Sequence, residues 1–475
     1  MRKIMLVAFA AATALSALAA TPALAQRAAP PTGPVDPQVA ALRDAALKDD
    51  VAYDIIEGLT TEIGPRPAGT EAEARARAWA VKKLTSLGFK NVHIETTKMD
   101  TWVRGVETAE VVSPFPQPLR LTALGGSGAT PAQGITAEIV YFPGFADLAA
   151  APDGSLKGKI AFVSNAMMQT QDGSSYGMYG AARFIGPNIA AKKGAAAILI
   201  RSIGSDHSRA PHAGQTNFTK GVTPIPAAAL STSDADNLSR MVKRGQPITL
   251  HLVLTPRQIG MTETGNVIAE VPGTDPAAGI IVIGGHLDSW DLGTGAIDDG
   301  AGVAITTAAA KRLLDGPAPR RTIRVVWFGD EETGGAGAKG YFEAHKTDHH
   351  VLAAESDFGA DRVWRYAVKL PEGASAVGNR LGAALAPLGI VGSREKGGDG
   401  ADIAPLIGSG VSGVDLNQSG LRYFDYHHTP EDTLDRIDPV QLSQNVAAWT
   451  TMLAVTANAP EDIGPAAPVA AKPAN

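Results

Sequence analysis

Five short stretches in the C-terminal half carry side chains that could do chemistry. In order they are His286 in Gly-Gly-His-Leu-Asp, Asp298 in Ile-Asp-Asp-Gly, the pair Glu331-Glu332, Asp357 in Glu-Ser-Asp, and His428 in His-His-Thr-Pro-Glu-Asp-Thr. All are hard or borderline ligands. Imidazole with carboxylate suits zinc, and a bridging carboxylate suits two zinc ions. The reaction class served by such a set is metal-assisted hydrolysis.

Each group also has an ordinary use. His286 followed by Asp288 suits a metal ligand with a carboxylate nearby, but Asp288 could equally orient the ring or cap a turn. Asp298-Asp299 stands ahead of a small, Ala-rich helix, where Asp is a common N-cap. Two adjacent carboxylates there also suit a metal loop. Adjacent side chains on an extended segment point in opposite directions. One of Glu331 and Glu332 could therefore bind metal while the other faces a substrate. A solvated acidic loop is the plain alternative. Asp357 and His428 say little singly. His427 reads as a packing neighbour of His428, and His349-His350 as a surface pair at a helix end. Asp399 and Asp402 suit helix caps or supports of the site, and capping is the favoured reading.

The elements that must position these groups give the set its weight. From Asn266 onward the pattern is strand, loop, helix, strand. Strands are predicted over 279–285, 322–328, 351–354 and 411–416, with helices over 302–314 and 439–458. The fold class that follows is α/β, with a mostly parallel mixed sheet flanked by helices. In such sheets ligands bind just beyond the C-terminal ends of strands. His286 follows the first strand, Glu331-Glu332 the second and Asp357 the third. Three chain-distant positions thus fall on one rim.

The N-terminal half has a different texture. Asp36-Pro37 is an N-cap followed by proline at the first helical position. Helical spacing runs on toward Leu47 and again from Val51 to Leu59. Thr70 and Glu73 form a capping box that opens a helix ending near Gly88. Residues 63–69 between these helices are a rigid turn by composition. Short buried strands over 159–163 and 197–201, with helices over 188–194 and 233–243, carry no dense set of ligand types. They read as a smaller, β-rich, non-catalytic insert over 131–256. The catalytic domain is then built from two segments, 37–130 and 257–460.

The first 25 residues read as a secretory signal: Arg2 and Lys3, an apolar run over 4–20, and Ala23-Leu24-Ala25 as the cleavage site. Residues 26–36 are an Ala/Pro-rich linker, and 461–475 a disordered tail. No later run is long and apolar enough to span a bilayer. A secreted or periplasmic protein without a stable membrane anchor is expected. The chain of 475 residues has formal charge −6, made more negative by loss of Arg2 and Lys3. That charge gives no electrostatic reason to bind nucleic acid. With no cysteine there are no disulfides, no thiolate ligands and no lipoprotein anchor.

Taken together and in this order, the motifs resemble the co-catalytic dizinc exopeptidases, most closely the carboxypeptidase Q (plasma glutamate carboxypeptidase) group. The stretch 285–300 carries most of this likeness. Support comes from Glu-Glu-Thr-Gly-Gly at 331–335, Glu-Ser-Asp-Phe-Gly at 355–359 and His-His-Thr-Pro-Glu-Asp-Thr at 427–433. Residues 63–73 resemble the group's N-terminal segment, and 157–230 its inserted protease-associated domain. The resemblance implies two zinc ions per chain, with Asp298 bridging. His286 and Asp357 would complete one site, and Glu332 and His428 the other. Glu331 would be the general base and acid that activates a metal-bound water. An Asp like Asp288 stands behind the histidine ligand in that family, and the Asp298-Asp299 peptide would be cis. It further implies a peptide substrate, dipeptides or short peptides, and a homodimer. Two other readings stand beside it: a deacylase of N-acyl amino acids on the same scaffold, and a receptor-like relative that has lost catalysis. Zinc content and the cleavage of free against N-blocked dipeptides separate the three.

Overall fold

The computed structural model describes residues 35–466. The expected signal peptide, nearly all of the linker and the end of the tail lie outside the described residues. The first helix, Pro37–Ala46, starts as its sequence predicts: the Asp36 carboxylate accepts the N–H of Gln38 at 2.8 Å. The helix Glu71–Ser86 is capped by Thr70, whose hydroxyl accepts the N–H of Glu73 at 3.4 Å. The reciprocal half of the box differs from expectation. Glu73 reaches past Thr70 and accepts the N–H of Gly69 at 2.8 Å and the hydroxyl of Thr264 at 2.6 Å. It thereby ties the helix to a strand nearly 200 residues away. Ala76, Ala80 and Leu84 form the helix's buried face.

The main sheet has eight strands. Their order is Lys90–Val103, Arg257–Val271, Thr322–Phe328, Ile280–His286, His350–Glu355, Ser412–Gln418, Val363–Lys369 and Val391–Gly392. The four strands from Thr322–Phe328 to Ser412–Gln418 are mutually parallel. They are buried almost throughout, which is why they read as continuous apolar runs. Antiparallel pairs on both sides make the sheet mixed. Helices Ala301–Leu314 and Pro439–Ala457 bury most of their residues and pack on each other. Gly302 lets the first of them sit close: a Cβ there would lie 1.8 Å from the Ser356 carbonyl. His350, expected on the surface, starts a strand and is buried with its ring 3.0 Å from the Tyr341 hydroxyl.

A second sheet of eight strands is formed by residues 107–254, its outermost members being Gln117–Leu119 and Leu121–Ala123. It begins at Glu107 and not at the expected boundary of 131. The chain leaves the main sheet after Val103, and Glu107–Ser113 immediately pairs with Thr249–Leu254. The outgoing and returning chains touch: Val106 N–H donates to Thr255 Oγ1 at 2.7 Å, and Thr255 N–H to Val106 O at 3.0 Å. Residues 461–466 correct the expected tail. Ile463 is fully buried and accepts the Ser412 hydroxyl at 2.6 Å, and Arg380 pairs with Glu461 at 2.7 Å.

Candidate metal centre

The rim of the main sheet brings together His286, Asp298, Glu332, Asp357 and His428, with Glu331 beside them. His286 is the last residue of its strand, fully buried, and its Nδ1 faces the Asp288 carbonyl at 2.9 Å. That carbonyl accepts the Nδ1 proton, so in the neutral ring Nε2 is the nitrogen that carries the lone pair. Nε2 lies 3.1 Å from Asp298 Oδ1 and 3.6 Å from Asp357 Oδ1. On the other side, His428 Nε2 lies 3.1 Å from Asp298 Oδ2 and 3.0 Å from Glu332 Oε2. The two oxygens of Asp298 therefore face two different imidazoles.

The turn before the helix Ala301–Leu314 divides its two carboxylates. Asp298 and Asp299 are non-helical and joined by a cis peptide bond. Asp299 faces away from the cluster, accepting the N–H of His286 at 3.0 Å and of Gly302 at 2.9 Å. It is the structural cap, and Asp298 is the group aimed at the centre. Asp432 steadies the same turn by accepting the N–H groups of Ala296 at 2.8 Å and Ile297 at 2.7 Å. Arg66 braces it from below. Its fully buried guanidinium donates to the carbonyls of Leu287, Thr294 (2.7 Å) and Gly295 (2.8 Å).

Asp288 does not take the ring-orienting role that was open to it. Its carboxylate is 3.8 Å from His286 Nδ1, because the chain turns after His286 and brings the backbone carbonyl under the ring instead. The carboxylate accepts the N–H of Glu331 at 3.1 Å and of Glu332 at 3.3 Å. It holds the acidic pair and does not touch the reacting space. Asp402 likewise is not a helix cap. Glu355 does that work, accepting the N–H of Asp402 at 2.9 Å and of Ile403 at 3.1 Å. Asp399 donates its N–H to Asp415 at 3.0 Å.

His428 has φ of 62°, a left-handed conformation that needs support in a non-glycine residue. The second sheet supplies it. Ala213 N–H donates to His428 O at 2.8 Å, and His428 Nδ1 faces Ala213 O at 3.3 Å. His427 stacks on His428 with ring centroids 3.5 Å apart, and its Nε2 is 3.6 Å from Asp298, farther than His428.

The electrostatics are those of a site lacking positive charge. Burial alone would lower His286, but Asp357 and Asp298 outweigh it and raise its pKa well above the usual value. His428 is raised in the same way against burial by Glu332 and Asp298. Burial raises Glu331 well above the usual carboxylate range, with His286 opposing and Asp357 and Glu332 adding to the rise. Among the described residues, no hydrogen-bond donor reaches the buried Asp298 Oδ2 or Glu332 Oε1. Ligand atoms of His286, Asp298 and Asp357 lie within 4.8 Å of one another, as do those of Asp298, His427 and His428. Nitrogen and carboxylate donors, buried and unsatisfied, fit zinc.

A cavity of about 490 Å³ opens onto the cluster, its wall including Glu331, Asp357, Tyr423, Gln215 and Arg183. A second, of about 320 Å³, meets it at Glu332 and is walled by Trp102, Trp290 and Met99. Sequence reasoning missed Arg66, Asp432, Glu355 and every cavity residue of the second sheet. For Arg66 the available signal was its place in the proline-rich turn.

Known proteins resemble this chain over most of its length. Residues 266–453 match peptidase family M28. Carboxypeptidase Q of Bos taurus is 34% identical over 86% of each chain. The crystal structure of a peptidase M28 precursor from Shewanella amazonensis superposes with a TM-score of 0.88 at 47% identity, over 91% of this chain and 98% of that one. An aminopeptidase from Aneurinibacillus sp. strain AM-1 shares the fold, with a TM-score of 0.61 at 22% identity over 91% and 98% of the two chains.

Proposed function

The chain belongs to peptidase family M28 and is a zinc metallopeptidase, and from that premise we propose an exported dizinc exopeptidase that hydrolyses dipeptides or short peptides. One observation carries the two-metal reading: the oxygens of Asp298 each face the Nε2 of a different histidine at 3.1 Å. Each pair is acceptor against acceptor once the rings are neutral. Each wants a cation between its members.

In this reading His286 and Asp357 would hold one zinc ion and Glu332 and His428 the other, with Asp298 shared between them. Bound zinc supplies Lewis-acid polarisation of the scissile carbonyl and a more acidic water. The chain does the rest. Glu331 stands beside the ligands, and burial makes it a stronger base than a surface glutamate. It takes the proton of the attacking water and returns it to the leaving amine. Asp288 fixes its backbone so that the carboxylate stays on the cavity side. The two carbonyls behind the histidines keep Nε2 directed at Asp298, where the metals would be held.

Export is motivated by the signal-like N-terminus, and N-terminal sequencing of the mature protein should begin at Gln26. The second sheet is read as the protease-associated insert and the assembly as a homodimer, which sedimentation should reproduce. The functional test is zinc per chain together with a dipeptide panel. Two zinc ions, and amino-acid release that chelation abolishes and zinc restores, are expected. Release that survives complete zinc removal, or cleavage confined to N-acylated substrates, would overturn the proposal.

A further inference from the structure

We propose that Arg183, contributed by the second sheet's domain, binds the free α-carboxylate of the peptide substrate and so sets a requirement for an unblocked C-terminus. The inference rests on the peptidase reading and deepens it. Arg183 is only 2% exposed, yet it lines the cavity that holds Asp298, Glu331 and Asp357. Its guanidinium carbon lies 4.5 Å from the Phe184 ring centre and 5.1 Å from that of Tyr176. Nη2 donates to the Tyr176 hydroxyl, Nη1 only weakly to the Ala213 carbonyl at 3.4 Å, and Nε has no partner among the described residues. Among the described residues no Asp or Glu comes within the 4.0 Å of an ion pair with it.

Other buried arginines of this chain are satisfied differently. Arg66 and Arg321 spend their guanidinium groups on backbone carbonyls. Arg201 pairs with Asp236 at 3.0 Å. Arg104, at the neighbouring cavity, is neutralised by Asp291 at 2.8 Å and Glu107 at 2.7 Å. A buried cation without a counter-ion is costly, and a ligand anion removes that cost. Arginine's planar fork matches a carboxylate.

The surroundings give the site direction. The carboxylates of the cluster are taken up by the two zinc ions of this reading, and Arg183 is the cation left on the cavity wall for a substrate carboxylate. The neighbouring cavity, with Trp102, Trp290 and Met99 and its arginine already paired, offers no free cation. Gly214 makes room for the guanidinium: its φ is +133°, and a Cβ there would lie 2.4 Å from Arg183 Nη1.

The test compares one dipeptide with its C-terminal amide on zinc-loaded wild type, Arg183→Met and Arg183→Lys, with zinc per chain measured alongside. Wild type should prefer the free acid by about 10²-fold or more in kcat/KM, as expected for losing one partner of a buried charge pair. Arg183→Met should lower that preference to a few-fold, mainly through KM, with zinc unchanged, and Arg183→Lys should restore part of it. Calorimetry on wild type should detect a product amino acid but not its amide. Wild type that cleaves acid and amide equally well overturns the proposal while leaving the peptidase reading intact. Unaltered preference in Arg183→Met overturns it too. If that variant does not fold, the wild-type ratio and the lysine variant decide. Wild type that cleaves neither substrate contradicts the peptidase reading itself.

Discussion

The ring of His212 lies 2.7 Å from the backbone carbonyl of His427, across the seam between the two sheets. His212 is fully buried on its side-chain atoms and held from behind by Asp206 at 2.8 Å. Its neighbour Ala213 hydrogen-bonds His428 through the backbone. The second domain is thus part of the centre's scaffold. His212→Ala should weaken zinc binding by about 10–100-fold, as loss of such supporting groups does. Zinc titration with a competing chelator measures this. Wild-type affinity in a folded His212→Ala protein would show that the brace is dispensable.

Asp288 supports the acidic pair and leaves His286 to a carbonyl. Asp288→Asn should therefore lower kcat by about 10–100-fold while zinc content stays near wild type. Losing the zinc and the activity in proportion would instead place Asp288 behind the metal ligand.

Glu73 makes stability depend on pH. Burial raises its pKa to about 7 from 4.5, against the favourable hydrogen bond from Thr264. Below the unfolded value both states hold the proton, and its contribution is complete. It is lost as pH rises from the unfolded value through about 7, because the unfolded state ionises freely while the native state still holds the proton. Glu73→Gln has no such loss. Relative to wild type the variant should gain up to about 3 kcal/mol between acidic and mildly alkaline pH. Urea denaturation at both ends of that range checks it, and parallel pH profiles would contradict it.

Much of the main sheet was legible because its parallel strands are buried on both faces and read as apolar runs. Lys90–Val103 was not, since most of its residues are exposed or half-buried and charged residues interrupt the alternation. The start of the second sheet at Glu107 was hidden for the same reason. The ligand types were visible in short motifs, and strand ends predicted that they share a rim. Arg66, in the proline-rich turn, and Asp432, in the motif at 427–433, were visible without their roles, and Arg183 left no trace. Arg66 and Asp432 act on backbone more than a hundred residues away, and what singles out Arg183 is a missing partner. Neither property has a spacing in sequence. Division of labour within Asp298-Asp299 also needed the fold, because only the turn decides which carboxylate faces inward.

The most direct test of the account is a matched pair of variants at adjacent, chemically identical side chains. Zinc per chain and dipeptide hydrolysis are measured for Glu331→Gln and Glu332→Gln after the same dialysis. Glu331→Gln should keep its zinc and lose about 10²–10⁴-fold in rate, the usual scale of general acid–base catalysis. Glu332→Gln should lose zinc, since a neutral amide is a poorer ligand than a carboxylate. Zinc lost from Glu331→Gln and kept by Glu332→Gln would reverse the two roles, and full activity in Glu331→Gln would contradict the mechanism.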